Sequence, residues 1–385
     1  MLRVGFIGAG RRATSAHYPA LHRIDEISLE AVSELDDGRL LGVTEQYQIP
    51  RRFVDYQEML DEVELDAVCV VMSDTLVTPV ALDCMRAGKH VFIEKPPGAN
   101  TAESQLLLDA AEANDVFCMV GYQRRYAAVT REAMRLVGEN GPPTLALGEF
   151  HKNLLGKDPP ETGTLWQDIC HIVDLVRFMV GSEPVEVTAY QDAHSSSWLN
   201  SYNGLIRFAN DAVGIVTGNR ASGGRDLRSE LHGVGVGCYM RIPDQIEVLQ
   251  NNEEPRVIAA VELSDEPSDD NVAIDGTVAM HRHFAECVRT GSTPSQRHPR
   301  RDQDIPSRRP TGGQGLAGKG VIITTANLGD PLVKGLNIPS LPWPNSLSVL
   351  STFFPCHFAP KGGGHGTNSN EGWKRWQARC SERVS

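Results

Sequence analysis

Short apolar runs alternate with helical patterns along the first third of the chain. Apolar stretches typical of buried strands predict six strands, at residues 2–7, 28–33, 53–54, 66–72, 90–93 and 116–120. Helical patterns lie between them, at residues 16–23, 37–47, 56–60, 78–87 and 101–114, the last with Thr101 as its N-cap. This βαβ alternation predicts a mostly parallel, doubly wound sheet in an α/β domain that spans residues 1–122.

After about residue 140 the strands become longer and turn residues separate them. The pattern predicts strands at residues 144–151, 185–194, 202–208, 213–217, 230–236 and 245–249, with helices at 165–180 and 278–289. We therefore predict a second, α+β domain over residues 123–294, built on a large, open, mostly antiparallel sheet. Residues 295–385 are rich in Pro, Gly, Ser and Arg, and this atypical composition predicts a disordered tail.

The first predicted strand runs directly into a glycine-rich turn. Gly8, Ala9 and Gly10, followed by Arg11, Arg12 and Ala13, read as G-x-G-x-x-A. The first glycine permits a tight turn, the second lets the backbone approach a pyrophosphate, and the helix beginning near Arg12 offers N–H groups to phosphates. The motif alone also fits an ordinary strand–helix turn.

Glu34 follows the second predicted strand and strengthens the dinucleotide interpretation. A carboxylate in this place accepts hydrogen bonds from ribose hydroxyls and repels a 2′-phosphate. The sequence therefore predicts a Rossmann domain that binds NAD in preference to NADP.

Composition narrows the choice of partners. The chain has 385 residues and a net charge of −12, which argues against nucleic acid as a partner. It has no apolar run of the roughly 20 residues that a membrane-spanning helix needs, and its first strand starts at Leu2, so we expect no signal peptide. Its eight cysteines are scattered without metal-ligand spacing. We expect a cytoplasmic protein with reduced cysteines, no metal, no membrane contact and a small-molecule substrate.

The stretch of residues 87–97, AGKHVFIEKPP, places a lysine directly after a buried strand. Ligands of open α/β sheets bind outside the carboxyl ends of the strands, so Lys95 is a candidate catalytic residue. The alternative interpretation is a solvated loop lysine.

Together these residues resemble the glucose-fructose oxidoreductase / inositol dehydrogenase (Gfo/Idh/MocA) family of NAD(P)-dependent oxidoreductases. The resemblance extends from Leu2 to about Pro294 and rests on AGKHVFIEKP, on the GYQRRY segment at residues 121–126, and on a helix that carries Asp168 and His171. It implies a Rossmann domain followed by a domain with an open sheet, which often serves as an oligomer interface; we therefore expect a homo-oligomer.

The resemblance also implies roles for individual residues. It assigns Lys95, His171 and Asp168 to catalysis, with His171 taking the proton of the substrate alcohol and Lys95 bonding the reacting hydroxyl. It adds Glu94, Lys95 and Gln123 to the cofactor site, and it assigns Arg124, Lys95 and His171 to the substrate. Asp168 lies three residues before His171, whereas the family's commonest spacing is four, and the alternative is an ordinary pair on a helix surface.

The function implied is hydride transfer between nicotinamide and a secondary alcohol or ketone of a sugar, polyol or related metabolite. The alternative is a regulatory protein of the same fold that senses a ligand without catalysis. The presence of both Lys95 and His171 favours the enzyme.

Overall fold

A computed structural model describes residues 1–264, 266 and 270–292 of the chain; the predicted tail at residues 295–385 lies outside these residues. The first domain contains a parallel sheet in the order β3-β2-β1-β4-β5-β6. Its strands are β1 (Leu2–Ile7), β2 (Ile27–Ser33), β3 (Arg51–Phe53), β4 (Ala67–Val70), β5 (His90–Ile93) and β6 (Cys118–Val120). This is the strand order of a dinucleotide-binding doubly wound sheet. The predicted fold class of the first domain is confirmed.

Helices cover both faces of the parallel sheet. They are a π-helical turn at Ala13–His17, α1 (Tyr18–Leu21), α2 (Asp37–Tyr47), α3 (Tyr56–Glu62), α4 (Val77–Arg86) and α5 (Thr101–Ala113). The predicted cap of α5 is wrong by one residue: the side chain of Asn100 accepts the Glu103 N–H, and Thr101 is already helical. Asn is the better N-cap because its short amide reaches the N3 donor.

The second domain contains an eight-stranded sheet in the order β14-β13-β12-β11-β7-β10-β9-β8. Its strands are β7 (Leu145–Asn153), β8 (Pro184–Asp192), β9 (Ser201–Phe208), β10 (Val213–Asn219), β11 (Ala221–Gly233), β12 (Val236–Arg241), β13 (Gln245–Gln250) and β14 (Arg256–Ala259). All neighbouring strands are antiparallel except β7 and β10, which pair in parallel. The mostly antiparallel sheet is therefore confirmed, although β12 and β14 were not predicted.

Helices cover one face of this sheet. The main ones are α6 (Ala128–Asn140) and α7 (Cys170–Val180), the latter preceded by a π-helical turn at Leu165–Ile169. The chain also forms a short 3-10 turn at Gln123–Tyr126 and the single turns α8 (Ala260–Leu263) and α9 (Asn271–Ile274). The sequence pattern missed α6, although seven of its residues are buried. It predicted one helix over residues 165–180, which the structure divides into a π-helical turn and α7.

The opposite face of the second sheet carries both apolar and charged side chains. Leu205, Tyr239 and Val257 are exposed there, and Arg207 pairs with Glu186 at 3.1 Å. Alternation along the strands produces this face, because every second residue points away from α6 and α7.

The last described helix, α10 (Thr277–Thr290), packs against the parallel sheet rather than against the second one. Val278, Met280 and Phe284 are fully buried in the same core as Phe6 and Phe92. The chain thus returns to the first domain. The second domain was predicted to span residues 123–294, but its last helix, α10, packs in the core of the first domain. Sequence periodicity identified this helix but not its partner.

Two histidines join α10 to the helical segment that follows the glycine turn. His17 Nδ1 lies 2.8 Å from His281 Nε2, and both rings are fully buried. Burial lowers the pKa of His281 well below its ordinary value, and the neighbouring His17 lowers it further. His281 is therefore neutral in the folded protein at neutral pH.

We expect His281 to make folding stability depend on pH. Below about pH 6.5 the unfolded chain binds a proton at this residue and the folded chain does not, so the free energy of unfolding falls by up to about 1.4 kcal/mol per pH unit on this account. Replacement His281→Gln should remove that part of the slope. Urea denaturation at pH 7, 6 and 5 measures it, with the exposed His22→Gln as the control. An unchanged slope in His281→Gln would contradict the prediction.

Candidate active site

The glycine turn after β1 has the geometry that a dinucleotide requires. Gly8 adopts a φ of +106°, and a Cβ on it would lie 2.2 Å from the carbonyl oxygen of Val71. A Cβ on Gly10 would meet no protein atom within 4 Å. Gly8 is thus required by the turn itself, whereas Gly10 leaves open space in which a ligand can approach the backbone. Arg11 beside it is exposed.

Glu34 lies against this turn from the end of β2. Its Oε2 accepts the backbone N–H of Ala9 at 2.6 Å, and its Oε1 accepts the N–H of Asp36 at 3.1 Å. The carboxylate is half-buried and adjacent to the open space at Gly10. A tight glycine turn, an open approach and a carboxylate at the second strand end fit an adenine dinucleotide.

Glu94, the last residue before Lys95, is the centre of a buried polar network. Its Oε1 accepts hydrogen bonds from Arg12 Nε and from His17 Nε2, both at 2.7 Å, and its Oε2 accepts the Lys95 N–H at 3.0 Å. Burial alone would raise the pKa of Glu94, but the bond from His17 and the charge of Arg12 outweigh it and hold that pKa well below its ordinary value. Glu94 is therefore ionised.

An ionised Glu94 fixes one proton of the buried histidine pair. A carboxylate only accepts, so His17 donates to it from Nε2. His17 Nδ1 and His281 Nε2 share the next hydrogen bond, at 2.8 Å, and His281 Nδ1 has no hydrogen-bond partner among the described residues. The chain from His281 through His17 to Glu94 thus holds the backbone of Lys95 in place.

Lys95 itself extends from the strand end toward the second domain. Its Nζ donates to the carbonyl oxygen of Gln167 at 2.7 Å. Two further contacts cross at the same place: Trp166 Nε1 donates to the Gly98 carbonyl at 2.7 Å, and Thr162 Oγ1 donates to Asp74 Oδ2 at 2.6 Å. The π-helical turn before α7 is therefore held against the carboxyl ends of β4 and β5.

His171 lies one helical turn after Gln167, in the first turn of α7. Its Nδ1 is enclosed, and the ring makes no hydrogen bond within the described part of the chain. The rings of Tyr122 and Phe150 lie 6.3 and 6.4 Å from it, centroid to centroid. Burial lowers the pKa of His171 well below its ordinary value, and the charges of Lys95 and Arg124 lower it further. His171 is neutral at neutral pH.

Asp168 is occupied by two cations from the second sheet rather than by His171. Its Oδ1 accepts from Lys152 Nζ at 2.8 Å, and its Oδ2 forms an ion pair with Arg220 Nη2 at 3.0 Å. Arg220 is fully buried and also donates to the carbonyl oxygen of Phe150. Asp168 and His171 are three residues apart in the chain, as the predicted pairing requires. Within the described residues, however, no hydrogen bond joins their side chains.

The segment after β6 carries three consecutive polar residues with different surroundings. Gln123 is buried, and its amide is oriented so that the oxygen accepts from Arg12 Nη2 at 3.2 Å. Arg125 donates from Nε to Asp174 Oδ2 at 2.7 Å, in a pair that is mostly shielded from solvent. Arg124 has no such acceptor, and its Nη1 is buried without a hydrogen-bond partner in the described residues.

The structure thus brings the predicted residues together in two groups. Arg12, Glu94, Gln123 and the backbone of Lys95 are linked by hydrogen bonds beside the glycine turn. Lys95 Nζ reaches the carbonyl oxygen of Gln167, one helical turn before His171, and its charge lowers the pKa of His171. Sequence reasoning missed His17, His281 and Arg220, because their partners are far away in the chain and no local pattern marks them.

The described residues contain neither a cluster suited to a metal ion nor a membrane-spanning helix. Among the described residues, no cluster of three or more His, Cys, Asp or Glu side chains is arranged to hold a metal ion. Within the same part of the chain, none of the helices is long and apolar enough to cross a bilayer.

Comparison with known proteins gives consistent matches in sequence and structure. A family model described as an oxidoreductase family with an NAD-binding Rossmann fold matches residues 2–122, and a Gfo/Idh/MocA C-terminal domain matches residues 114–235. The chain is 30% identical to inositol 2-dehydrogenase 2 of Saccharopolyspora erythraea, covering 67% of this chain and 78% of that protein. It is 26% identical to the scyllo-inositol 2-dehydrogenase (NAD(+)) of Bacillus subtilis, over 76% and 88% of the two chains.

Solved structures agree with the fold. A Gfo/Idh/MocA family oxidoreductase from Vibrio cholerae superposes with a TM-score of 0.68 at 18% identity, covering 77% of this chain and 92% of that one. The two family models, the relative at 30% identity and the two sheets in this order lead to one conclusion: the chain belongs to the Gfo/Idh/MocA family of oxidoreductases.

Proposed function

We propose that this oxidoreductase uses NAD to oxidise a secondary alcohol of a sugar, a polyol or a related hydroxylated metabolite, or to reduce the corresponding ketone. Relatives named as inositol 2-dehydrogenases support this substrate class. The observation that carries the proposal is that Lys95, at the carboxyl end of β5, bonds the Gln167 carbonyl one helical turn before His171, a buried ring whose pKa the charge of Lys95 helps to lower.

The residues that would hold the cofactor surround the glycine turn. Gly8, Ala9, Gly10 and the two following arginines would face its pyrophosphate, Glu34 its ribose, and Gln123 and Lys95 its reactive end. NAD, when bound there, supplies the acceptor for the hydride that leaves the alcohol carbon.

His171 and Lys95 divide the work on the alcohol oxygen. His171 is neutral because its pKa is lowered, so a ring nitrogen is free to accept the hydroxyl proton. Lys95 brings a positive charge to the same oxygen and stabilises the negative charge that develops as the proton leaves. Asp168 acts through Lys152 and Arg220, which it holds at the second-sheet side of the cleft.

Replacement Lys95→Met should lower kcat/KM by about a hundredfold to ten-thousandfold, and His171→Asn by a similar factor, because each removes a group that acts on the reacting oxygen. The assay follows absorbance of reduced cofactor with a panel of inositols, sugars and polyols. Lys89→Met is a matched control, because Lys89 Nζ also donates to a backbone carbonyl, that of Leu65 at 3.0 Å, at the far end of the same strand.

Equal activity of Lys95→Met and wild type would contradict the role of Lys95. Binding of NAD by a wild-type protein that oxidises no member of the panel would instead favour the regulatory alternative.

We further propose that Glu34 makes NAD the preferred cofactor. Its carboxylate lies beside the open space at Gly10 and would oppose the 2′-phosphate of NADP. Replacement Glu34→Ala should reduce the ratio of kcat/KM for NAD over NADP by about tenfold. The substitution removes both the contact that favours NAD and the repulsion of the 2′-phosphate of NADP. Parallel assays with both cofactors measure it, with the exposed Glu45→Ala on α2 as the control. A ratio unchanged by Glu34→Ala would show that another group selects the cofactor.

A second copy of the chain is the partner we propose for the open face of the second sheet. Leu205, Tyr239 and Val257 are large apolar side chains exposed on that face, and such surfaces are frequent interfaces. Analytical ultracentrifugation should give an assembly larger than the monomer, and Leu205→Glu should shift it toward the monomer. A monomeric wild type at micromolar concentration would contradict this proposal.

A further inference from the structure

Asp74 is a carboxylate of the first domain that binds two separate points of the second domain. It follows β4, and its Oδ2 accepts hydrogen bonds from Thr162 Oγ1 at 2.6 Å and from Gln167 Nε2 at 3.3 Å. Its Oδ1 accepts from Ser73 Oγ at 3.4 Å. The proposed reaction at the alcohol oxygen does not use this side chain.

The turn that carries Asp74 is fixed to the first domain. The backbone N–H groups of Leu76 and Val77 both donate to the Ser73 carbonyl, at 2.9 and 3.0 Å. Val77 begins α4 and is almost completely buried. Asp74 therefore lies at a well-anchored point beyond the carboxyl end of β4, on the side of the sheet where ligands bind.

The segment of residues 156–163, here called the strap, lies in the connection between β7 and the π-helical turn before α7. Its first and last residues, Gly156 and Gly163, adopt φ values of +73° and +78°, and a Cβ on either would meet no protein atom within 4 Å. Between them, Pro159 and Pro160 restrict the backbone. A stiff centre between two left-handed glycines is the arrangement expected of a segment that moves about hinges at its ends.

Few hydrogen bonds hold the strap. The Lys157 carbonyl accepts from Trp198 Nε1 at 3.3 Å, which joins the strap to its own domain. Among the described residues, the hydroxyl of Thr162 makes the hydrogen bond that joins the strap to the first domain. Residues 156–159 are exposed. The position of the strap beside the end of β4 therefore depends on Asp74.

The second hydrogen bond of Asp74 leads to Lys95. The side chain of Gln167 donates to Asp74, and the backbone carbonyl of the same residue accepts from Lys95 Nζ at 2.7 Å. A lysine ammonium is a flexible group with rotatable donors, so the acceptor that it meets decides where it points. Asp74 thus restrains the residue whose carbonyl orients Lys95.

We propose that Asp74 is a positioning residue for the reaction. Through Thr162 it holds the strap closed over the reactive end of the bound cofactor, and through Gln167 it fixes the carbonyl that orients Lys95. The inference rests on the proposed function, because it concerns the geometry of the same site. Asp74 supplies position, and it touches neither the substrate nor the reacting atoms.

Two substitutions of Asp74 separate position from charge. Asp74→Ala removes both hydrogen bonds, so kcat should fall about tenfold, while the KM for NAD stays within about threefold because the glycine turn is untouched. Asp74→Asn keeps an oxygen that can accept from Thr162 and Gln167, and its amide can donate to Ser73 Oγ. It should retain about a third or more of the wild-type kcat. The assay follows absorbance of reduced cofactor with an alcohol that wild type oxidises.

Variants of the two donors test each route alone. Thr162→Val removes the hydroxyl and nearly keeps the shape of the side chain, whereas Thr162→Ser keeps the hydroxyl. Endoproteinase Lys-C cleaves after lysine, and Lys157 is an exposed lysine in the strap. Mass spectrometry should show cleavage there about tenfold faster in Thr162→Val and Asp74→Ala than in wild type, because the open strap is more populated. Thr162→Ser should resemble wild type, and Gln167→Leu should lower kcat without faster cleavage.

Two matched controls remove similar groups elsewhere. Asp109→Ala removes another aspartate that accepts from a glutamine, since Gln105 Nε2 donates to Asp109 Oδ1 at 2.7 Å on the exposed surface of α5. Thr290→Val removes an exposed hydroxyl that donates to the Glu286 carbonyl at 2.8 Å, near the end of α10. Both variants should match wild type in kcat and in cleavage of the strap.

Thermal unfolding distinguishes positioning from a structural role. Trp166 Nε1 still donates to the Gly98 carbonyl at 2.7 Å when Asp74 is replaced, so the π-helical turn stays attached to the first domain. The Tm of Asp74→Ala should therefore lie within about 2 °C of wild type. A lower Tm with an unchanged kcat for the folded fraction would reduce Asp74 to a structural contact.

Three other results would overturn the inference. One is an equal kcat in Asp74→Ala and wild type. Equal losses in Asp74→Asn and Asp74→Ala would mean that the carboxylate acts by its charge. Cleavage at Lys157 as slow in Thr162→Val as in wild type would show that other contacts hold the strap.

Proteolysis needs no turnover, and it therefore separates this inference from the proposed function. If wild type oxidises no alcohol while Thr162→Val is cleaved faster than Thr162→Ser, the dehydrogenase proposal fails and the hold of Asp74 on the strap stands. If Asp74→Ala oxidises alcohols at the wild-type rate and its strap is cleaved no faster, the inference fails and the dehydrogenase proposal stands.

Discussion

The ionised carboxylate of Glu94 is the contact on which the candidate site depends. It is almost completely buried at the end of β5, a position that would ordinarily disfavour a charge, yet three donors from separate parts of the chain converge on it. Arg12 comes from the helical segment after the glycine turn, His17 comes from the π-helical turn beyond it, and the third donor is the backbone of Lys95. One anion thus fixes the glycine turn relative to the lysine that we propose to face the substrate. Removing any donor would leave part of its charge uncompensated in a site that excludes water.

The same network explains why α10 must return to the first domain. His17 donates to Glu94 through Nε2, and its Nδ1 shares a hydrogen bond with His281 Nε2. His281 lies 264 residues away in the sequence, so the network at the strand end that carries Lys95 is completed only when the chain has crossed the second sheet and come back. Phe284 and Val278 hold the helix by apolar packing. His281 gives it a fixed orientation toward the centre of the site.

Much of this arrangement could be predicted from residues that are close in sequence. The glycine turn, Glu34 and the strand-end Lys95 follow from local patterns, because each function needs a residue type at a fixed distance from a strand. The bounds of α2 were predicted without error. The helix α6 was missed although Val129, Ala133 and Leu136 recur at the spacing of a buried helical face. The partners of Asp168 could not be predicted, since Arg220 reaches it from the connection between β10 and β11 and a three-residue spacing on a helix says nothing about that connection. The histidine pair also escaped prediction, because a buried ring in a helix looks like any other polar residue until its neighbour is known.

The two domains contribute different groups to the cleft. The groups proposed to act on the alcohol oxygen are anchored to the parallel sheet and to the first turn of α7, and their positions depend on Glu94 and on the contacts of Lys95, Trp166 and Thr162. The cations around the ring of Phe150 are those of Lys152, Arg220 and Arg225, which come from β7, β10–β11 and an irregular segment of the second sheet, whose backbone is not tied to Glu94. Side chains in residues 222–225 can therefore change without disturbing the strand end that carries Lys95. Because β11 departs locally from its register, the charge beside the Phe150 ring can change while the strand end that carries Lys95 stays where the buried carboxylate holds it.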